Sequence, residues 1–301
     1  MPSEPLSRVL VTGGAGFIGR RVVRGLLDEG YPVTVLDHQA FPDPAVRSVT
    51  GDICDRGVCE SAVTDDTSTI IHLAALTSVL RSVHDPVITH QLNVDVTARL
   101  LELSREHNVE SFLFASTNAV VGNAGSAVIS ETTPLRPLVP YSATKAAAEM
   151  LLSAYANCYG IKCAAMRFSN VYGPGMESKD SFVLRLMRAA RDEHGVEVRG
   201  DGTMQRDFVH VDDLVQGIFA VWRSGHTGPV ILGSGTSVSV GNMVEVAREV
   251  TGSPIPAAFA SVGDEEMPAV ILDISLARSL GYNPRMSLVE GLKTVWPEFR
   301  P

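Results

Sequence analysis

The sequence has little positive charge and no long hydrophobic run. Its 301 residues contain 25 lysines and arginines against 34 acidic residues, a net charge of −9, which argues against broad binding to nucleic acid. No run approaches the roughly 18 apolar residues that a transmembrane helix needs. Residues 1–7 lack the basic and apolar segments of a signal peptide. We therefore expect a cytoplasmic protein that neither binds nucleic acid nor enters a membrane.

Cysteine is also scarce. The four cysteines are Cys54, Cys59, Cys158 and Cys163. They have neither the close spacing nor the neighbouring histidines of a metal site. We expect free thiols in a reducing compartment and no bound metal.

What the sequence has in abundance is an alternation of short β-branched runs with helical segments. The runs at 8–12, 32–36, 46–50, 69–73, 111–115 and 162–168 are predicted strands, and 17–30, 88–108 and 141–159 are predicted helices. This alternation predicts an α/β fold, a Rossmann-type doubly wound parallel sheet. The rhythm changes after residue 168. We expect a cofactor domain at 1–170, to which segments near 209–235 return, and a smaller α/β C-terminal substrate domain over most of 171–301.

A glycine loop follows the first predicted strand. Gly13, Gly16 and Gly19 stand three residues apart, a spacing that permits a tight turn and close approach of a pyrophosphate to a helix N-terminus. Asp37 ends the second predicted strand. A carboxylate there accepts hydrogen bonds from ribose hydroxyls and repels a 2′-phosphate, so the cofactor is predicted to be NAD rather than NADP.

Tyr141 and Lys145 stand four residues apart at the start of an alanine-rich helix, so both side chains project from one face. A neighbouring cation lowers the pKa of a tyrosine, which would make Tyr141 a general acid and base. The pair alone is equally compatible with a surface tyrosine beside a solvated lysine.

The order of the motifs resembles the extended short-chain dehydrogenase/reductase family, in its nucleotide-sugar epimerase/dehydratase branch. The chain is similar to UDP-glucose/galactose 4-epimerases over nearly its whole length. The segments that carry the resemblance are 11–19, 51–53, 72–75, 116–117, 141–145, 167–174 and 200–213.

The resemblance implies a role for each matching residue. Thr117, Tyr141 and Lys145 would be catalytic, with Tyr141 taking a proton from the sugar C4 hydroxyl as hydride passes to NAD. The implied NAD-binding residues are Gly13, Gly16, Phe17, Ile18, Gly19, Asp37, His38, Asp52, Ile53, Leu73, Ala74, Ala75, Asn93, Ser116, Tyr141, Lys145 and Phe168. The implied substrate-binding residues are Thr77, Ser78, Arg81, Thr117, Asn118, Asn170, Phe182 and Arg206.

The sequence departs from this branch at two places. Asn118 and Ala119 stand where 4,6-dehydratases have Asp and Glu, and an amide cannot protonate a leaving hydroxyl. Epimerases usually carry an arginine near residues 260–268 to bind the substrate pyrophosphate, but this chain has Asp264, Glu265 and Glu266 there. Carboxylates cannot replace a guanidinium against an anion, so Arg206 and Arg81 remain the candidate anion ligands.

The sequence therefore predicts an NAD-dependent nucleotide-sugar 4-epimerase, acting through a transient 4-keto intermediate on a UDP- or dTDP-hexose. A dehydratase with non-standard acid/base residues is the nearest alternative. A ketone reductase and a non-catalytic NAD-sensing protein are further alternatives. By analogy with the family we expect a homodimer.

Overall fold

The structure is a computed structural model that describes residues 6–177, 181–260 and 269–300. The chain divides into two compact units, each assembled from separate stretches of sequence. The first unit comprises Met1–Val120, Pro137–Arg167 and Ile218–Val230, and the second comprises Val121–Arg136, Phe168–Gly217 and Ile231–Pro301.

The elements follow one another with short connections. The strands are β1 (Arg8–Thr12), β2 (Val33–Asp37), β3 (Arg47–Thr50), β4 (Thr67–His72), β5 (Ser111–Thr117), β6 (Val128–Ile129), β7 (Lys162–Phe168), β8 (Asn170–Tyr172), β9 (Val196–Arg199), β10 (Gln205–His210), β11 (Gly228–Leu232), β12 (Ser237–Ser239), β13 (Ala257–Ala260) and β14 (Ile271–Leu272). The α-helices are α1 (Phe17–Asp28), α2 (Arg56–Ala62), α3 (Val79–His84), α4 (Pro86–His90), α5 (Val96–Glu106), α6 (Pro140–Tyr159), α7 (Phe182–Arg191), α8 (Val211–Ser224), α9 (Val240–Thr251), α10 (Ser275–Ser279) and α11 (Leu288–Val295).

Seven strands form the main sheet in the order β11-β7-β5-β4-β1-β2-β3. The pairings of β1 with β2 and β4, of β2 with β3 and of β4 with β5 are parallel. The strand order reverses between β1 and β4, and in such sheets ligands bind outside the carboxyl ends of the strands at that point. The predicted Rossmann-type fold is confirmed.

The predicted helix at 88–108 is present as a continuous helical stretch, but it is not α-helical throughout. The segment instead contains α4, a π-helical turn at Gln91–Asp95, and α5. Asn93 lies in this turn, and its side chain accepts a hydrogen bond from Leu76 N at 2.9 Å and donates to Leu76 O at 3.0 Å. The widened turn coincides with these two bonds, which tie the helix to the segment after β4.

The second unit contains smaller sheets. Strands β12, β10 and β8 form one, while β9 pairs with β13 and β6 with β14. The buried Asp207 carboxylate accepts hydrogen bonds from Ser234 N at 2.9 Å and Gly235 N at 2.8 Å. This carboxylate therefore fixes the turn that follows β11.

Residues 6–177, 181–260 and 269–300 contain neither a membrane-spanning helix nor a metal-binding cluster. Within these ranges no helix has both the length and the apolar character to cross a membrane. Nor does this part of the chain bring three histidine, cysteine, aspartate or glutamate side chains together in a group that could hold a metal ion.

Candidate active site

Thr117, Tyr141 and Lys145 come together in the first unit. Thr117 ends β5, and its side chain lies close enough to the Tyr141 phenol, in the first turn of α6, to favour the phenolate. The Lys145 Nζ donates a 2.8 Å hydrogen bond to Ala115 O and lies 4.4 Å from the centre of the Phe114 ring. The structure thus assembles a hydroxyl, a phenol and an amine, which together can transfer a proton to or from a bound alcohol.

Burial controls the titration of the tyrosine and the lysine. It raises the pKa of Tyr141 to about 12, although the Thr117 side chain opposes this rise. It lowers the pKa of Lys145 to about 7, and the charge of Glu149 opposes that fall. The expected lowering of the Tyr141 pKa is therefore wrong for the protein alone, because desolvation of the phenolate is the largest influence on that pKa.

Glu149 lies one turn of α6 beyond Lys145 and makes a buried ion pair. Arg167 donates to its carboxylate at 3.1 Å from Nε and 2.8 Å from Nη2. The Ser116 hydroxyl donates to the same carboxylate at 2.5 Å. Glu149 is not among the residues predicted from the sequence, although the four-residue spacing of Tyr141, Lys145 and Glu149 places all three on one helix face.

His72 ends β4 and is buried. Its Nδ1 is 2.7 Å from Thr12 Oγ1, and its Nε2 is 3.2 Å from Thr97 Oγ1. Burial, with a smaller contribution from Lys145, lowers the pKa of His72 to about 3. The ring is therefore neutral at physiological pH and does not compete with Lys145 as the cation of the site.

The glycine loop leaves no room for side chains. A Cβ on Gly13 would lie 2.8 Å from Ala74 N, and one on Gly19 would overlap the carbonyl oxygen of Gly13. No side chain caps the N-terminus of α1, which follows Gly16. Backbone amide groups there can therefore approach a pyrophosphate closely.

Asp37 lies beside this loop, at the end of β2. Its Oδ2 accepts a 3.0 Å hydrogen bond from Ala15 N, and its Oδ1 accepts one of 3.2 Å from Gln39 N. These bonds orient a half-buried carboxylate, which can still accept hydrogen bonds from ribose hydroxyls. The residues present therefore fit the adenosine half of NAD.

Most of the predicted NAD-binding residues of the first unit follow the carboxyl ends of strands, and the exceptions are Asn93, Tyr141 and Lys145. Asn93 donates to Thr144 Oγ1 at 3.0 Å and, with its Leu76 bonds, links three segments. Phe168 is buried and belongs to the second unit. The residues at the strand ends are Gly13, Gly16, Phe17, Ile18 and Gly19 after β1, Asp37 and His38 at β2, Asp52 and Ile53 after β3, Leu73, Ala74 and Ala75 after β4, and Ser116 at β5.

Four predicted substrate residues of the first unit lie near the ends of β4 and β5. Thr77 is exposed, and Ser78 caps α3 by accepting a 3.2 Å hydrogen bond from Arg81 N. Arg81 is exposed, with its Nε 3.9 Å from the Asp85 carboxylate. Asn118 directly follows Thr117 in a 3₁₀ turn. Nothing in these contacts distinguishes Arg81 from an ordinary surface arginine.

The remaining predicted substrate residues line a cavity of about 300 Å³ in the second unit. Asn170, Phe182 and Arg206 all contribute to its wall. Asn170 is oriented by a 2.8 Å hydrogen bond from its Nδ2 to Asp207 O. Arg185 and Arg199 also line this cavity, and neither is among the residues predicted from the sequence. The acidic residues 264–266 lie outside the described residues.

The glycine loop at the strand-order reversal and the neighbouring phenol–amine pair define a dinucleotide-dependent enzyme of Rossmann type. Residues 9–233 match the model of the family described as "NAD dependent epimerase/dehydratase family". The chain belongs to this family, and it is an NAD-dependent enzyme.

Individual relatives resemble the chain along almost its full length. It is 33% identical to a putative UDP-glucose 4-epimerase of Methanocaldococcus jannaschii over 95% of this chain and 96% of the relative. It is 35% identical to a dTDP-glucose 4,6-dehydratase of Streptomyces griseus, over 95% and 92%. A UDP-glucose 4-epimerase of Thermus thermophilus, solved in complex with NAD, superposes with a TM-score of 0.89 at 31% identity, over 97% and 98%. The predicted family and the prediction of an NAD-dependent enzyme of the epimerase/dehydratase type are confirmed.

Proposed function

We propose that the protein is a UDP-hexose 4-epimerase in which Tyr141 is the general base. The observation that carries this proposal is that the Thr117 side chain acts on the Tyr141 phenol and favours the phenolate, while the buried Lys145 lies one turn further along the same helix. A phenol that lies beside a hydroxyl and shares a helix face with an amine is suited to remove the proton from a sugar alcohol. The same set can return a proton to the ketone that oxidation of this alcohol produces.

Each residue has a defined task in this reaction. Tyr141 takes the proton from the C4 hydroxyl, and the Thr117 hydroxyl binds the same sugar oxygen. NAD, when bound, supplies the acceptor and donor of the C4 hydride and a positive charge beside the phenol. The pKa of Tyr141 has to fall from about 12 for the reaction to proceed near neutrality. The ammonium form of Lys145 contributes to that fall, because an adjacent cation favours the phenolate.

Asn118 and Ala119 favour epimerisation over dehydration. They directly follow Thr117 at the end of β5, in a 3₁₀ turn at Asn118–Val121. Neither side chain can deliver a proton to a departing C6 hydroxyl, so the 4-keto sugar is re-reduced rather than dehydrated. A dehydratase is the second candidate, because a dTDP-glucose 4,6-dehydratase is among the relatives.

We assign the two compact units to different parts of this chemistry. The first unit carries the catalytic set and all of the predicted NAD residues except Phe168, and the cavity of the second unit receives the nucleotide of the substrate. The four free cysteines are consistent with a reducing cytoplasm, in which we place the enzyme.

We infer that the enzyme is a homodimer. Helices α3, α4 and α6 pack against one another in the first unit and expose Leu80, Val83, Val87 and Met150. Adjacent exposed apolar side chains mark an interaction surface, and a second copy of the chain is the occupant that we assign to it. Val87→Asp should convert a dimer to a monomer in light scattering, whereas the exposed Val128→Asp in the second unit should not. A monomeric wild type would contradict this inference.

One experiment can test both the identity of the sugar substrate and the choice between epimerisation and dehydration. Purified protein with NAD is incubated with UDP-glucose or dTDP-glucose, and the product is examined by NMR and mass spectrometry. We expect UDP-glucose to give its C4 epimer with unchanged mass and no accumulated NADH. A loss of about 18 Da, the mass of one water, would establish the dehydratase instead. Absence of any product from either sugar would contradict both assignments.

A further inference from the structure

A buried polar network in the first unit connects the segment after β4 with the catalytic helix α6. It consists of His72, Asn93 and three threonines, Thr12, Thr97 and Thr144. Each of these residues is at most 6% exposed, and polar groups buried to this extent are paired in hydrogen bonds. The donor and the acceptor of each bond therefore follow from the number of hydrogens that each side chain carries.

The tautomer of His72 follows from these counts. The Thr97 hydroxyl donates its one hydrogen to Asn93 O at 2.8 Å, so its oxygen accepts the bond from His72 Nε2, at 3.2 Å. Nε2 therefore carries the single hydrogen of the neutral ring, and Nδ1 is an acceptor. The Thr12 hydroxyl donates to Nδ1 at 2.7 Å, and the same Thr12 oxygen accepts from Ala74 N at 3.2 Å.

The side chains of Asn93 and Thr144 continue the network into the first turn of α6. The Leu76 backbone fixes the orientation of the Asn93 amide, because its N–H donates to Oδ1 at 2.9 Å and its carbonyl accepts from Nδ2 at 3.0 Å. The second Nδ2 hydrogen is donated to Thr144 Oγ1 at 3.0 Å. The Thr144 hydroxyl then donates its own hydrogen to Tyr141 O at 2.7 Å. Every polar hydrogen of these two side chains thus has an acceptor.

All of these bonds have the same direction. Each group from Ala74 N to Asn93 O donates to the next one, and the Asn93 side chain donates onwards through Thr144 to Tyr141 O. Hydrogen bonds arranged in this way polarise one another, and a fully satisfied buried network holds its members in one geometry. We call this arrangement the directed chain.

We propose that the directed chain positions Tyr141 relative to the segment 73–76, and that Thr144 is a positioning residue for the base. His72 is the second positioning residue, because its fixed tautomer joins the strand side of the chain to the helix side. The assignment rests on the proposed function, since it takes Tyr141 as the base. Ala74 and Leu73 belong to the expected NAD site, and transfer of a hydride and a proton requires base and cofactor to be held in one geometry.

NMR spectroscopy of the wild type tests the tautomer. The protein is isotopically labelled at its histidine nitrogens and loaded with NAD, and a long-range proton–nitrogen correlation spectrum is recorded at about pH 7. The spectrum of His72→Gln identifies the signals of His72. We expect the pattern of a ring that is protonated at Nε2 alone. A ring protonated at Nδ1, or at both nitrogens, would overturn the directed chain.

Thr144→Val and Thr144→Ser test the positioning role. Valine retains the shape of threonine without its hydroxyl, whereas serine retains the hydroxyl. We expect Thr144→Val to lower kcat for C4 epimer formation about tenfold or more, with KM and NADH affinity within about twofold of wild type. Thr144→Ser should recover most of kcat. Thr89→Val is the matched control, because Thr89 is equally buried and donates to Asp85 O at 2.8 Å outside the directed chain.

Three results would contradict the positioning role of Thr144. These are an unchanged kcat in Thr144→Val, an equal loss of kcat in the valine and serine variants, and an equal loss in Thr89→Val. The proposed reaction fails separately. If the wild type converts no hexose, the reaction is refuted while the spectrum of His72 still decides the directed chain. Conversion by a wild type that has the other tautomer contradicts only the directed chain.

Discussion

Glu149 follows Lys145 by one turn of α6, and its negative charge opposes the loss of the lysine charge that burial imposes. The carboxylate is itself held by Arg167 and Ser116. The protonation state of Lys145 therefore depends on a buried ion pair that lies behind it in the first unit. A cation that assists Tyr141 has to retain its proton despite burial, and Glu149 is the group that favours this.

Glu149→Gln should weaken both stability and catalysis. It leaves the buried Arg167 without its carboxylate, which typically costs about 3–5 kcal/mol of unfolding free energy. It should also lower the pKa of Lys145 further and move the basic limb of the kcat–pH profile to lower pH. Urea denaturation and the pH profile measure these two effects separately.

Glu149→Leu combined with Arg167→Met removes both buried charges and provides the control. This double variant should recover much of the stability, because an apolar pair replaces the ion pair. The basic limb of the kcat–pH profile should remain at the lower pH of the single variant. A profile identical to that of wild type would show that Glu149 serves the fold alone.

Tyr141→Phe should reduce kcat by about two to four orders of magnitude, the usual contribution of a general acid/base. Tyr155→Phe is the matched control on the same helix, since its hydroxyl is bonded to Glu102 at 3.1 Å. The measurement is the initial rate of C4 epimer formation from UDP-glucose. Retained activity in Tyr141→Phe would refute the assignment of the base.

Acid should destabilise the protein through His72. Unfolded histidine binds a proton below about pH 6.5, whereas the native pKa of His72 is about 3. The unfolded state then holds more protons between these values, so unfolding free energy falls as pH drops from about 6.5 towards 3. The slope is at most about 1.4 kcal/mol per pH unit for one group.

His72→Gln should flatten this part of the stability curve, measured by urea denaturation at successive pH values. His84→Gln, which alters an exposed residue of α3, should leave the curve unchanged. A wild-type curve without any fall between about pH 6.5 and about pH 4 would contradict the low native pKa of His72.

Asp37→Asn should reduce discrimination between NAD and NADP. The amide oxygen can still accept the bond from Ala15 N, but the charge that repels a 2′-phosphate is lost. We expect the affinity for NADH to fall about tenfold. The ratio of the affinities for NADH and NADPH should fall by at least the same factor. Fluorescence titration with both cofactors measures this, and Asp43→Asn, at an exposed ion pair with Arg24, is the control. Unchanged discrimination would exclude Asp37 as its source.

Gly19→Ala should destabilise the first unit, because its Cβ would overlap the Gly13 carbonyl oxygen. We expect a loss of about 1–3 kcal/mol, as for other forced overlaps. Gly57→Ala is the control, since its Cβ would approach only Asp55 Oδ1, at 3.5 Å. Thermal unfolding of both variants tests the comparison, and equal melting temperatures would show that the loop accommodates a methyl group.

The strongly periodic parts of the fold were predictable from sequence. Buried parallel strands appear as short apolar runs, and β1 and β7 have the predicted bounds. The π-helical turn at Gln91–Asp95 was not predictable, because it depends on bonds between Asn93 and a distant backbone segment. The short strands β6 and β14 form because they pair with each other. The hydrophobic pattern of either segment alone does not predict this pairing.

The residues of the candidate site were likewise only partly predictable from sequence. The spacing of Tyr141 and Lys145 and the motif order located the catalytic set. The direction of the shift in the Tyr141 pKa was predicted wrongly, because burial depends on tertiary packing that the sequence of one helix does not reveal. Arg185 and Arg199 were missed for a related reason, since they reach one cavity from elements that share no sequence motif.

The division of the chain into interleaved stretches restricts how such an enzyme can diversify. The backbone passes between units after Val120, Arg136, Arg167, Gly217 and Val230. No single cut of the gene therefore separates the two units, and exchanging one unit with a relative would require a join at each of these places. We expect recombination between homologous genes to be disruptive, so new substrate preferences in this architecture should arise through point substitution at positions such as the cavity arginines.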